Sequence, residues 1–249
     1  MKVLFGSTGL VGCALQEQTT FDQLYSSANF RDISLLKRRI DHLVLCCLPA
    51  TKWKVNQDPL TDLQNIFSIM DALQNVRAER ITLISTIDVY GHGAQSLCEA
   101  DNLFFEKPSY GGNRLLFELL IRAQFRSALV QVIRLPALFH RLIKKNILFD
   151  LIHDHEIEKI NANSSYQWYP LERLWADIAK CPANGTVNLF PAPIETVEIM
   201  EEFFPSAPRF MKERISYNHR TMYTDTGYWS PEKGDNFALI GDFINETRS

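Results

Sequence analysis

The stretch that decides the fold lies at the start of the chain, where residues 2–18 are KVLFGSTGLVGCALQEQ. The β-rich run KVLF is followed by Gly6, Gly9 and Gly12 at three-residue intervals, and then by a helix-forming run. Glycines here allow a tight turn, let backbone N–H groups approach a pyrophosphate and let the helix pack close to the sheet. The helix N-terminus adds N–H donors and a favourable dipole for an anion.

This pattern predicts a strand, a phosphate-binding turn and a helix, and a purely structural glycine turn is the alternative. The candidate contacts of a dinucleotide in this turn are Gly6, Thr8, Gly9, Leu10, Val11 and Gly12.

Strand-like and helix-like segments alternate along the first part of the chain. Further strands are predicted at residues 23–27, 42–48, 80–85 and 129–135, and amphipathic helices at 62–73 and 110–125. This alternation predicts an α/β fold with a Rossmann-type doubly wound parallel sheet. Beyond residue 139 the pattern loosens. The predicted domains are a dinucleotide-binding Rossmann domain at 1–140 and a small C-terminal substrate lobe at 141–249, interleaved with the last sheet elements.

The choice between the two nicotinamide dinucleotides depends on the end of the second strand. An acidic residue that selects NAD is expected there, about 20 residues after the first glycine. The segment from Tyr25 to Arg31 holds no acid, but it offers small hydroxyls and Arg31. These residues favour NADP over NAD. Arg31 as an ordinary surface residue is the other interpretation.

Composition excludes several classes of function. The formal net charge of −3 gives no broad basic field for nucleic acid, and no apolar run approaches the length needed to cross a bilayer. We expect no nucleic-acid or membrane partner and a cytoplasmic location. The five cysteines show no C-x-x-C spacing and predict buried thiols rather than a metal site.

Two further motifs follow in order along the chain. Residues 85–91 are STIDVYG at the end of a predicted strand, and residues 110–114 are YGGNR at a predicted helix start. With the glycine turn and the segment VIRLPALF at 132–139, they resemble the extended or atypical short-chain dehydrogenase/reductase superfamily, which includes nucleotide-sugar epimerases and dehydratases. The resemblance covers about residues 1–140 by motif.

The resemblance implies roles for individual residues. Thr86 is the hydroxyl and Tyr110 the acid/base that share the reacting oxygen, while Leu48, Pro49, Tyr110, Arg114 and Pro136 contact the cofactor. The family has a lysine four residues after the tyrosine, where this chain has Arg114. Arginine stays protonated and can lower the tyrosine pKa, but its planar fork has a different geometry. A structural role for Thr86 and Tyr110 is the alternative.

The strand motif bears on the type of reaction. Sugar dehydratases of this superfamily carry an acidic pair after the threonine, whereas this chain has Ile87 followed by Asp88. The missing acid argues against sugar 4,6-dehydration by that route.

We therefore expect an NAD(P)-dependent oxidoreductase or epimerase-like enzyme for a small polar carbonyl or hydroxyl compound such as a nucleotide sugar. A non-catalytic dinucleotide-binding sensor or structural subunit is the alternative, favoured by Arg114. The resemblance also suggests a homodimer formed through the helices at 62–73 and 110–125.

Overall fold

The computed structural model describes residues 1–91 and 96–248. The strands in these residues are β1 (Lys2–Phe5), β2 (Gln23–Tyr25), β3 (Ile40–Leu45), β4 (Ala78–Thr86), β5 (Leu129–Leu135), β6 (Ala137–Phe139), β7 (Ser165–Tyr166), β8 (Trp168–Pro170), β9 (Gly185–Asn188) and β10 (Ile194–Glu195). The α-helices are α1 (Leu10–Gln18), α2 (Lys52–Gln57), α3 (Pro59–Leu73), α4 (Tyr110–Gln124), α5 (Ile147–Ile152), α6 (Leu174–Lys180), α7 (Thr196–Phe203) and α8 (Lys233–Arg248). Short 3-10 helices cover Phe30–Leu35, Ile87–Val89, Ile157–Lys159 and Leu171–Arg173.

Six strands form the main sheet in the order β2-β1-β3-β4-β5-β9. The pairs β1 with β2, β1 with β3, and β3 with β4 are parallel. The chain leaves β1 to build β2 on one side and then crosses to β3 on the other side. The order therefore reverses between β1 and β3, and the predicted Rossmann-type α/β fold is confirmed.

The sheet ends early on its β2 side. A dinucleotide-binding sheet of the usual order 3-2-1-4-5-6 has one more strand outside strand 2. Here the three-residue β2 is the edge, and the 3-10 helix Phe30–Leu35 follows where a further strand and helix would otherwise fit. The segment between β2 and β3 is too short to build that pair.

The chain divides into two compact units, each assembled from several segments. The first comprises residues 1–89, 102–134 and 172–187, and the second comprises 90–101, 135–171 and 188–249. The sequence predicts two ranges that meet at residue 140, whereas the compact units exchange segments several times along the chain.

The core of the first unit lies between the sheet and its helices. Buried β-strand residues such as Leu43 and Ile81 pack against apolar side chains of α3 and α4, including Ile66, Leu73 and Phe117. Strands covered in this way carry continuous apolar runs, which is why β3 and β4 were recognisable from sequence.

The second unit has its own core and two small sheets. β6 pairs with β8 in parallel, and β7 pairs with β10 in antiparallel orientation. Trp168 lies in a core with residues of α5, α7 and α8, and the Asn236 side-chain amide donates to the Trp168 carbonyl at 2.8 Å. Among the described residues, no helix is long and apolar enough to cross a membrane.

Candidate active site

The glycine turn between β1 and α1 has two positions where the fold itself requires glycine. Gly6 has φ +107°, and a Cβ there would lie 2.2 Å from the Cys46 carbonyl oxygen. A Cβ on Gly12 would lie 2.1 Å from the Gly6 carbonyl oxygen. Because both neighbours are backbone atoms, they cannot move aside. These two glycines let α1 approach the sheet closely.

Gly9 differs from the other two glycines. It is the N-cap of α1 with φ −77°, and a Cβ there would meet one atom within 4 Å, the Gly6 carbonyl oxygen at an ordinary 3.5 Å. The fold therefore does not need glycine at this position. The absence of a side chain leaves the first-turn N–H groups of α1 open to an approaching anion, and that turn carries no acidic residue.

A cavity of about 540 Å³ opens at the carboxyl ends of β1, β2 and β3. This is the place where the strand order reverses and where open α/β sheets bind ligands, and the volume suits a small-molecule site. Its lining residues come from the ends of these strands and from α2 and α3: Phe5, Gly6, Ser27, Phe30, Cys47, Pro49, Lys54, Val55, Asp58, Thr61, Asp62, Asn65 and Ile69.

Only some of the predicted cofactor-binding residues that follow β2 and β3 line this cavity. Pro49 lines it, and Leu48 is the half-buried residue before it. Arg31 is exposed on the 3-10 helix after β2, with its guanidinium carbon 5.7 Å from the Phe30 ring centroid, and it is absent from the cavity wall. Ser27 is the hydroxyl from this segment that reaches the cavity.

The structure brings Thr86, Tyr110 and Arg114 together. Tyr110 begins α4, is 8% exposed, and has the Thr86 hydroxyl and the Arg114 guanidinium close enough to its phenol to lower the phenol pKa. The Arg114 guanidinium carbon lies 4.5 Å from the Tyr110 ring centroid. Gly111 makes this approach possible, because a Cβ there would lie 2.0 Å from the Asp88 carbonyl oxygen. The catalytic role of the three residues stays a prediction.

Burial raises the pKa of Tyr110 above its ordinary value of 10.0. The positive charge of Arg114 acts in the opposite direction, while the negative charge of Asp88 raises the pKa further. The net effect favours the neutral phenol, which can donate a proton.

Arg114 is tied into a buried ion pair with Asp62 of α3. Its two terminal nitrogens donate to the two Asp62 carboxylate oxygens at 2.7 and 3.3 Å, and one also donates to the Pro49 carbonyl at 2.6 Å. Asn113 donates to the same carboxylate at 2.9 Å. The side chains of Arg114 and Asp62 are 5% and 2% exposed, so the pair is shielded from water.

A second ion pair lies on the other side of Thr86. Lys52 of α2 contacts the Asp88 carboxylate at 2.6 Å, and the other carboxylate oxygen lies 3.4 Å from the Thr86 hydroxyl. The Asp88 backbone N–H donates to that hydroxyl at 3.2 Å. Lys52 is 44% exposed, so this pair reaches the surface.

A third pair supports the strand that carries Thr86. Glu118, two helical turns beyond Tyr110, accepts hydrogen bonds from Arg134 at 2.7 and 3.0 Å and from the Ser85 hydroxyl. Both charged side chains are buried. Helix α4 therefore presents Tyr110, Arg114 and Glu118 along one buried polar face.

Two further sequence predictions concern the cysteines, expected as buried thiols, and Pro136, expected at the cofactor. The thiols of Cys46 and Cys47 follow β3, and burial raises both pKa values, that of Cys47 to about 12, so they stay protonated. Pro136 is buried in the second unit between β5 and β6.

Sequence reasoning missed the partners of the predicted residues, above all Asp62 and Lys52. Arg114 stands where the resembled family has a lysine, beside a tyrosine expected in the site. Because buried charges are paired in proteins, a buried arginine at this position indicates that an acid lies next to it. Nothing in the spacing locates that acid, which precedes Arg114 by 52 positions.

No model of a known protein family and no curated protein matches the chain. Solved structures match it over nearly their full length. The dTDP-glucose 4,6-dehydratase DesIV double mutant from Streptomyces venezuelae, with NAD bound, has a TM-score of 0.74 at 14% identity, covering 100% of this chain and 98% of that chain. The UDP-N-acetylglucosamine 4-epimerase from Methanobrevibacter ruminantium has a TM-score of 0.72 at 15% identity, covering 98% of each chain.

A dTDP-4-dehydrorhamnose reductase from Bacillus anthracis, in complex with NADP, has a TM-score of 0.71 at 15% identity over 98% of each chain. The chain shares the Rossmann-type α/β fold of these enzymes. At these identities the likeness establishes the fold alone. Within this fold, the glycine turn, the cavity and the Tyr110 cluster (Thr86, Tyr110, Arg114, Asp62, Asp88 and Lys52) all belong to the first compact unit.

Proposed function

We propose that the chain is an NAD(P)-dependent oxidoreductase or epimerase-like enzyme that acts on a small polar carbonyl or hydroxyl compound of the nucleotide-sugar class. The observation that carries the proposal is the placement of Thr86 and Arg114 beside the buried Tyr110 phenol, in the same compact unit as an α1 N-terminus whose first turn carries no acidic residue. The solved structures of similar fold are named as nucleotide-sugar enzymes, and two are in complex with NAD or NADP. Their names support the substrate class.

The residues of the glycine turn fit a dinucleotide. Gly9 leaves the α1 N–H groups accessible for the pyrophosphate, and the adjoining cavity has apolar walls at Phe5, Phe30 and Ile69 for the adenosine. A bound nicotinamide supplies or accepts the hydride. Tyr110 gives or takes the proton at the reacting oxygen, and Thr86 holds that oxygen by a hydrogen bond.

Among the two dinucleotides, we propose a preference for NADP. Residues 26–31 after β2 hold no carboxylate to bind the two adenosine ribose hydroxyls, the first acid being Asp32, and Ser27 on the cavity wall offers a hydroxyl to a 2′-phosphate. Arg31 contributes only if its exposed side chain turns from Phe30 towards the cavity.

Calorimetric titration with NAD(H) and NADP(H) tests the cofactor proposal. Wild type is compared with Gly9→Val, which fills the approach to the α1 N-terminus, and with Gly234→Val as the matched control. Gly234 lies in α8 and also has open space around its Cβ position. We expect Gly9→Val to lose binding and Gly234→Val to keep it. No binding by the wild type, or equal binding by both variants, refutes the proposal.

The second candidate is a non-catalytic dinucleotide-binding protein. It is favoured by the ion pair that fixes Arg114 to Asp62, because protein acceptors already use three of the five N–H donors of this guanidinium. Turnover of cofactor with a panel of nucleotide sugars separates the two candidates. An enzyme loses turnover in Tyr110→Phe and keeps its cofactor affinity, whereas a binding protein shows tight binding and no turnover in either form.

The cytoplasmic location and a homodimer also remain proposals. Phe67 of α3 and Leu119 of α4 are 54% and 57% exposed, which supports an apolar contact through these helices. Sedimentation equilibrium tests the dimer, and a monomer at micromolar concentration refutes it.

A further inference from the structure

The charges around the Tyr110 phenol are arranged in compensated pairs. The nearest cation is Arg114, one turn along the same helix, with its guanidinium carbon 4.5 Å from the phenol ring. Asp62 of α3 meets that guanidinium through both carboxylate oxygens, and both side chains are nearly completely buried. Asp62 therefore offsets part of the Arg114 charge at the phenol.

The acid that follows β4, Asp88, is also paired with a cation. Asp88 follows β4, and one of its carboxylate oxygens lies 3.4 Å from the Thr86 hydroxyl, which is close to the Tyr110 phenol. Lys52 of α2 neutralises that carboxylate at 2.6 Å. Among the described residues near the phenol, Asp62 and Lys52 thus offset the charges of Arg114 and Asp88. The positive charge of Arg114 still lowers the Tyr110 pKa, but burial, the largest cause, and the Asp88 charge raise it more.

We propose that Asp62 is a positioning residue that keeps Tyr110 in its protonated form, so that the site donates a proton to a carbonyl substrate. Asp62 acts through Arg114, whose guanidinium it holds in place and whose charge it partly offsets. This inference rests on the proposed function and adds the direction of the reaction and the class of substrate, a ketone or aldehyde rather than an alcohol.

The reaction in this direction is balanced. The carbonyl carbon gains a hydride from a reduced nicotinamide dinucleotide, the C=O π bond opens, and the carbonyl oxygen takes the Tyr110 proton. Tyr110 regains a proton from water. Oxidation of an alcohol would need the phenolate at the start, which burial and the Asp88 charge disfavour.

The test is an NMR titration of the full chain labelled with [13Cζ]tyrosine, without nucleotide, from neutral pH upward. The Tyr110 signal is identified as the one missing in Tyr110→Phe. In wild type we expect it to stay in the phenol form beyond pH 10.0, the ordinary pKa. Asp62→Asn leaves the Arg114 charge uncompensated, so we expect Tyr110 to titrate about one pH unit or more below wild type.

Asp71→Asn is the matched control, because Asp71 is an exposed acid on the same helix α3. We expect it to leave the Tyr110 titration unchanged. A purely structural role of Asp62 would change thermal stability without lowering the Tyr110 pKa. An unchanged Tyr110 titration in folded Asp62→Asn overturns the proposal, as does an equal shift in Asp71→Asn.

The double variant Asp62→Leu/Arg114→Met covers the case in which Asp62→Asn fails to fold. It removes both charges and replaces them with apolar groups, so Tyr110 must titrate at or above the wild-type pH. A titration about one unit lower overturns the proposal. Since no nucleotide is present, these outcomes concern Asp62, whereas failure to bind NAD(P)(H) in the calorimetric titration concerns the proposed function.

Discussion

Two regions of the first compact unit differ in which atoms form them. One is the glycine turn of residues 6–12, and the other is the Tyr110 cluster, which consists of Thr86, Tyr110, Arg114, Asp62, Asp88 and Lys52. The turn consists of backbone, and glycine is required at Gly6 and Gly12 by contacts with carbonyl oxygens. The cluster consists of side chains held by ion pairs. A backbone-built site tolerates no side chain at particular positions, whereas a side-chain-built site tolerates replacement when charges are exchanged as pairs.

This difference explains which part of the superfamily pattern the chain retains. The glycine turn keeps its three glycines, because two of them close the strand–helix unit itself. The Tyr110 cluster departs from the pattern at Arg114 and Ile87, and the arginine is accompanied by a buried acid, Asp62. The following variants test this contrast.

We expect the largest loss of stability from Asp62→Ala. It leaves the buried Arg114 guanidinium without its partner, which costs about 3–5 kcal/mol of unfolding free energy. Urea unfolding measures the loss, with Asp71→Ala on the exposed face of α3 as the control that changes little. Asp62→Leu/Arg114→Met should recover most of the stability, because well-packed apolar residues can replace a buried ion pair. A mild effect of Asp62→Ala would mean that the pair is not shielded.

Gly6→Ala should come next. The new Cβ would lie 2.2 Å from the Cys46 carbonyl oxygen at a φ of +107°, so we expect a loss of about 2–4 kcal/mol from strain and displaced backbone. The midpoint of urea unfolding gives the value. Wild-type stability in this variant would show that the turn can rearrange, and the contrast between the two regions would fail.

Lys52→Met should have a small effect. The Lys52–Asp88 pair is short, but Lys52 is 44% exposed, so solvent screening limits its contribution to about 0–1 kcal/mol. The measurement is again urea unfolding, repeated at high salt, which should reduce the difference from wild type further. A loss of unfolding free energy as large as that of Asp62→Ala would show that solvent does not screen the Lys52–Asp88 pair, and would contradict the prediction.

Gly9→Ala should have the smallest effect on stability, within about 0.5 kcal/mol, because its Cβ has room in the folded chain. The same methyl group narrows the approach to the α1 N-terminus, so we expect a clear loss of dinucleotide affinity in calorimetry. Gly6→Ala and Gly9→Ala are thus opposites within one turn. Equal stability losses in the two variants would contradict the distinction between folding and binding glycines.

Much of the first unit was predictable from sequence. β1, α1 and β5 have the predicted bounds, and α3 and α4 differ from the predicted helices by three residues and one residue at one end. These elements carry periodic apolar patterns or glycine punctuation, which are local signals. The sequence did not predict α2 or the small sheets of the second unit, whose strands of two or three residues are too short for a periodic pattern.

For the candidate site, the sequence by itself determined the glycine turn, and its resemblance to a known superfamily marked Thr86, Tyr110 and Arg114 as candidates. Only the tertiary structure decided that Asp62 pairs with Arg114 and Lys52 with Asp88. These pairs join residues far apart in the chain, and their contacts depend on how α2 and α3 pack beside α4 and the end of β4. That packing depends on the apolar surface buried throughout the unit, so it cannot be predicted from the residues next to each side chain in the sequence.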